Sequence, residues 1–152
     1  MANSLEIIKK LREATGAGVM DVKRALTEAD DDIQKAKEII LNKGFARAEK
    51  RVEREAASGL IHAYVHGSGE VGVILELNCE TSFVAQTDEY AALAHEICLQ
   101  IAAMAPATVD ELLVMDYIRD TKKKITDLVK ELIAKTGENI VIRRFNRYQI
   151  GE

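Results

Sequence analysis

The sequence predicts an α+β protein, in which three short N-terminal helices precede a small antiparallel three-stranded sheet packed with helices. Three observations carry that prediction. Up to Gly44 the apolar residues recur at helical spacing. From Gly59 to Asn78 the period drops to two, in two runs joined by Gly67-Ser68-Gly69-Glu70. After Asp88 helical stripes return, and the chain closes on Asn139 to Ile150, rich in β-branched and aromatic residues.

Taken in order, Ser4 is placed to cap a helix carrying Leu5, Ile8 and Leu11, with Ile7 and Ala14 beside them. Thr15-Gly16-Ala17-Gly18 breaks it, and a second helix follows with Val22, Ala25, Leu26 and Ala29. Asp30, Asp31 and Asp32 offer caps for a third, which carries Ile33, Ala36 and Ile40 and is expected to end at Gly44. Phe45 to Ala57, rich in Arg, Lys, Glu and Ala, reads as a solvated connecting helix. The expected units are therefore residues 1–44, a connector over 45–57, and an α+β core over 58–152.

In that core, Gly59–His66 and Val71–Asn78 form a predicted hairpin, with Val71, Val73, Leu75 and Leu77 on one face. Asp88–Met104 reads as a helix with Tyr90, Leu93, Ala94, Ile97, Ile101 and Met104 in its stripe, and Pro106 lies just beyond it. A short helix is expected over Val109–Met115. A longer one is expected over Thr121–Lys135, closed by Gly137. Asn139–Ile150 is the third strand.

Composition narrows the function classes. The chain has 152 residues, 47% apolar and 30% charged, so it has enough apolar side chains for a packed core. Its net charge of −4 argues against nucleic acid as the partner, since phosphate binding needs a surplus of Lys and Arg. The cluster Arg47, Lys50, Arg51 and Arg54 is interleaved with Glu49, Glu53 and Glu55, which favours an exposed helix face over an RNA site. No apolar run approaches the roughly 20 residues of a membrane span. Met1-Ala2-Asn3-Ser4 opens directly into an amphipathic pattern, without signal- or transit-peptide character. Cys79 and Cys98 lack metal or redox spacing, and reduced thiols in the cytoplasm are the expectation.

No catalytic constellation emerges. On one strand His62 and His66 lie roughly 13 Å apart, whereas two ligands of one zinc must sit within about 4 Å of each other. Cys79 has no sequence-near His, and Gly16-Ala17-Gly18 follows a helix rather than a strand, unlike a phosphate cradle. No metal or cofactor is expected. Thr81-Ser82-Phe83-Val84 stands out, with two apolar residues between a buried strand and a long helix. Either Phe83 folds back to plug the sheet–helix junction, or it is an exposed aromatic mounted for insertion into a partner.

Four stretches in order resemble the elongation factor Ts family. These are Lys9 to Leu26 (KKLREATGAGVMDVKRAL), Gly59-Leu60-Ile61 with Val71-Gly72-Val73, Glu76 to Ala85 (ELNCETSFVA), and Ile133 to Phe145 (IAKTGENIVIRRF). The resemblance implies a guanine-nucleotide exchange factor for elongation factor Tu, not an enzyme. It implies that the first three helices form a ubiquitin-associated-like module docking on the GTPase domain through Arg12, Val19 and Met20. It further implies that Thr81, Ser82, Phe83 and Val84 enter that domain, that Phe83 shifts the elements holding magnesium and the β-phosphate, and that GDP escapes.

Two departures accompany the resemblance. Ser82 stands where the family usually has Asp, and Gln86 where it has a basic residue. The chain also has room for one core half where longer members carry two, so a homodimer joined along Asn139–Ile150 is expected. The rival without exchange activity is a ubiquitin-associated-like interaction module fused to an α+β domain. Other rivals are an enzyme using His62, His66 or Cys79, and an RNA binder uniting Arg47–Arg54 with Arg143, Arg144 and Arg147.

Overall fold

A computed structural model describes residues 5–152. The Ser4 cap lies outside the described residues. Helices α1 (Leu5–Thr15), α2 (Val19–Glu28) and α3 (Ile33–Glu49) enclose a small core of Ile8, Leu11, Val22, Ala25, Leu26, Ala29, Ala36 and Ile40. The α1–α2 and α2–α3 junctions fall where the Gly and Asp residues predicted them. Asp32 caps α3, its carboxylate accepting from the Lys35 N–H at 3.0 Å, while Asp30 and Asp31 take left-handed conformations in the turn. Leu5 and Ile33, expected on the inner faces, are exposed. They sit at the first position of their helices, where no neighbouring turn covers them.

The third helix does not stop at Gly44. It runs on to Glu49, and residues 50–57 form turns and irregular chain, so the connecting helix expected over 45–57 is corrected to a helix end and a linker. Gly44 serves a different purpose from termination. A Cβ there would lie 2.9 Å from the Ala134 Cβ, so the missing side chain lets α3 approach the helix α7 (Ile125–Thr136) closely.

The second unit is built on β1 (Ser58–His66), β2 (Val71–Cys79) and β5 (Ile140–Gln149), antiparallel in the order β1-β2-β5. Pairing is continuous from Ser58↔Cys79 to His66↔Val71, and a bulge at Glu76/Leu77 shifts the β2–β5 register. One face carries Val73, Leu75, Leu77, Cys79, Ile140 and Ile142 into the core. There they meet α5 (Asp88–Met104), matching the predicted span, and α7. The other face leaves Ile61, Val65, Ile74 and Tyr148 exposed.

Between α5 and α7 lie α6 (Val109–Val114) and a small hairpin, β3 (Asp116–Tyr117) and β4 (Asp120–Lys124). The hairpin replaces the first turn of the helix expected from Thr121. Two interactions fix it. The fully buried Gln100 side chain donates to Asp116 O at 3.0 Å and accepts from the Ile118 N–H at 2.9 Å. The Asp127 carboxylate accepts from the Lys124 N–H at 2.8 Å, starting α7 at Ile125. Among the described residues, no helix is long and apolar enough to cross a membrane.

Candidate partner-binding site

The segment after β2 is a single-turn helix, α4 (Ser82–Ala85). Thr81 is its N-cap, accepting from the Val84 N–H at 3.4 Å. Thr81 is itself held from outside, donating to Glu138 through its hydroxyl at 2.6 Å and its N–H at 3.0 Å. Beyond α4, Thr87 caps α5 by accepting from the Tyr90 N–H at 3.3 Å, and donates its hydroxyl to Val84 O at 2.8 Å. Tyr90 is fully buried and donates to Leu77 O at 2.6 Å, tying the start of α5 to β2. Burial first, then the neighbouring Cys79, pushes its phenol far above the ordinary tyrosine range.

These fastenings separate the two apolar residues of the motif. Val84 turns inward, 5% exposed, and joins the main core. Phe83 points outward and is 79% exposed. The plug at the sheet–helix junction is therefore Val84, and Phe83 stands in solvent on a braced turn. Ser82, the first residue of α4, is exposed as well.

Arg12, Val19 and Met20 flank the Gly-rich break, all exposed, Met20 at 59%. Met20 is thus not core filling. The break is held by the Gly16 N–H donating to Arg12 O at 2.7 Å and by Thr15 donating to Leu11 O at 2.5 Å. Gly16 adopts φ +68°, and a Cβ there would fall 2.3 Å from the Lys135 Cγ, so the break lies against the last turn of α7. Lys135 in turn bonds Glu89 in the first turn of α5. Three residues past Lys135, Glu138 grips Thr81. Both candidate segments are therefore anchored at the C-terminal end of α7.

Sequence reasoning missed the bracing roles of Glu138 and Thr87, and the bond made by the Tyr90 hydroxyl, whose ring it had placed in the α5 stripe. Thr87 followed by Asp88 and Glu89 is a readable helix-start signal; Glu138, 57 residues from Thr81, has none. Glu80 adds a further brace, accepting from the Asn139 N–H at 2.7 Å. Burial raises the Cys79 thiol, which donates to Thr81 O at 3.1 Å, so this sulfur is a core group and not an activated nucleophile.

Several of the basic residues are engaged in ion pairs or hydrogen bonds within the chain. Arg47 pairs with Asp21 at 3.2 Å and holds that carboxyl below its usual range. Arg54 lies 3.7 Å from Glu80, Arg144 pairs with Glu76 at 2.6 Å, and Arg147 bonds Ala102 O and Glu152. Among the described residues, no group of three or more His, Cys, Asp and Glu side chains is arranged to hold a metal ion.

A family described as "Elongation factor TS" matches residues 3–114 and 80–152. "Elongation factor Ts" of Coprothermobacter proteolyticus is 43% identical, with the whole of both chains covered. That of Thermotoga maritima is 44% identical over all of this chain and 98% of its own, and that of Caldanaerobacter subterraneus 41% over 98% and 97%. The first alignment spans 197 positions against this chain's 152 residues, so that relative carries a stretch with no counterpart here. On the match to nearly every residue, the chain belongs to the elongation factor Ts family.

Proposed function

We propose that this protein is a cytoplasmic guanine-nucleotide exchange factor that speeds GDP release from elongation factor Tu by inserting Phe83 into its GTPase domain. The observation that carries this reading is the exposed Phe83 on a turn braced by Thr81–Glu138 and Thr87. A flexible loop loses conformational entropy on docking, whereas a side chain mounted this way loses little. Thr81 sets the mount, Val84 anchors it in the core, and Ser82 faces the partner beside Phe83. Insertion displaces the elements that hold magnesium and the β-phosphate, so magnesium leaves and GDP follows.

Full burial of a Phe side chain contributes about 1.5–3 kcal/mol. If that energy is realised only in the nucleotide-loosened state, release accelerates about ten- to a hundred-fold. Further coupling comes from the three-helix, ubiquitin-associated-like module, which docks through Arg12, Val19 and Met20. By reciprocity, GTP entering the partner weakens the exchange factor's grip by the same factor. No bond is made or broken in this chain, so it acts as a binding protein and not an enzyme.

The two separate clusters of buried residues support a division into a helical module and an α+β core, with the linker over residues 50–57 between them. A homodimer formed through β5 and the adjoining sheet face is supported by the free edge of β5 and the exposed Ile61, Ile74 and Tyr148.

The test is stopped-flow release of a fluorescent GDP analogue from elongation factor Tu. Saturable acceleration by the intact protein, lost at least tenfold in Phe83→Ala without loss of fold, is expected. Binding without acceleration favours the interaction-module alternative, and wild-type exchange by Phe83→Ala sinks the insertion mechanism.

A further inference from the structure

The chain contains three histidines, and the fold gathers all of them beside Tyr64. His62 and Tyr64 project from one face of β1, and His95 comes down from α5 to meet them. The His62 Nε2 and His95 Nδ1 atoms lie 3.4 Å apart, with the rings nearly perpendicular. His95 also packs edge-on against Tyr64, their centroids 5.2 Å apart. His66 is turned away into a separate hydrogen bond with the Tyr64 hydroxyl at 2.8 Å.

The N···N separation is longer than the usual 2.7–3.2 Å of a good N–H hydrogen bond. It equals the separation of about 3.3–3.4 Å between two nitrogens bound at about 2.0–2.1 Å to one tetrahedral metal. Both rings are half-buried, so a cation can reach them while keeping some of its water. Cys98 lies close by, fully buried, with its thiol directed at the His62 carbonyl oxygen at 4.0 Å.

We propose that His62 and His95 form a two-imidazole clamp for a borderline divalent transition cation, Zn2+ foremost, pinning the edge strand β1 to α5. Imidazole suits Zn2+, Ni2+ and Cu2+ and does not suit Mg2+ or Ca2+, which seek oxygen. With two protein ligands and water in the other positions, binding is reversible and is strengthened by any third donor that a partner supplies. Its structural effect falls on β1, which has a strand neighbour on one side alone.

The experiment is calorimetric titration of the full chain with Zn2+, with thermal unfolding in Zn2+ or Mg2+. One Zn2+ per chain is expected, with a Tm rise of about 5–10 °C at free Zn2+ a hundredfold above its Kd and no rise with Mg2+. His62→Ala and His95→Ala each abolish the effect, and His66→Ala retains it. His95→Gln replaces the alanine variant if that fails to fold. Co2+ serves as a spectroscopic probe on the unmodified protein. No Zn2+ binding by the wild type, retention in both His62→Ala and His95→Ala, loss in His66→Ala, or a cobalt–thiolate charge-transfer band overturns the assignment.

Discussion

Removing Glu138 tests whether Phe83 works because it is exposed or because it is held. In Glu138→Ala the Thr81 hydroxyl and N–H lose acceptors at 2.6 and 3.0 Å. Hydrogen bonds to a charged group contribute about 1.5–3 kcal/mol each when buried. Thr81 is exposed, so solvent screening brings the pair to about 1–2 kcal/mol in total. The Thr81 cap on the Val84 N–H and the Thr87–Val84 bond remain, so α4 loosens without unfolding. If that loosening must be reversed on docking, exchange falls about 5- to 30-fold. The Tm falls by about 2–8 °C. Stopped-flow GDP release gives the first quantity, and amide hydrogen exchange at Thr81 confirms that its bond is gone. Faster exchange of the Thr81 amide together with undiminished GDP release would refute the bracing argument.

Two further outcomes test the scaffold. Gly44→Ala introduces a Cβ 2.9 Å from the Ala134 Cβ; overpacking costs about 1–3 kcal/mol, and better helix propensity offsets about 1, so urea unfolding should show net destabilisation that adding Ala134→Gly reverses. The Tyr117 phenol, raised to about 12 by burial and by its 2.5 Å bond to Glu96, should ionise late in an ultraviolet titration. Because its folded pKa lies above the free value of 10.0, its contribution to stability is complete below pH 10 and is lost as pH rises towards 12. Ionisation near pH 10 in the folded protein contradicts that bond.

Much of this molecule could be read from local pattern, and the misreadings share a cause. Val22, Ala25 and Leu26, and the α5 stripe of Tyr90, Leu93, Ala94, Ile97 and Ile101, announce their burial by spacing alone. Gly44 was misread because a glycine that ends a helix and one that admits a neighbouring helix look the same in sequence. Only the partner, Ala134, distinguishes them, and it lies 90 residues away. Thr121–Lys124 followed the helical composition of its neighbours, yet the buried Gln100 amide claims the Asp116–Ile118 backbone and turns it into a hairpin. At the candidate site, the composition of Thr81–Val84 marked it as unusual, but it could not say which apolar residue turned outward. That choice is made by Glu138, Thr87 and the Tyr90–Leu77 bond, which fix the rotation of a four-residue helix. The His62–His95 meeting was hidden for the same reason, since strand spacing compares His62 with His66 and never with a helix 33 residues on.

Ser82 offers the sharpest test of how much of the site is aromatic and how much electrostatic. It is the first residue of α4 and exposed, and its chain neighbour Thr81 bonds the Glu138 carboxylate. Ser82→Asp places a negative charge at a helix N-terminus, favourable by about 0.3–1 kcal/mol, and next to the residue that holds a carboxylate, unfavourable by a comparable amount in solvent. Stability should therefore change by less than about 0.5 kcal/mol, and any change in exchange reports on the partner and not on the fold. If an acidic side chain assists magnesium displacement, Ser82→Asp speeds GDP release several-fold at subsaturating protein, and the gain shrinks as added Mg2+ rises. If Phe83 alone performs the displacement, the variant matches wild type at every Mg2+ concentration. Slower release would place the added charge against an acidic surface of the partner, and the electrostatic role would be abandoned. The double variant Ser82→Asp with Phe83→Ala separates the contributions. Coupling beyond about 0.5 kcal/mol means that the two side chains act on one displaced element, and additivity means that they act on separate ones.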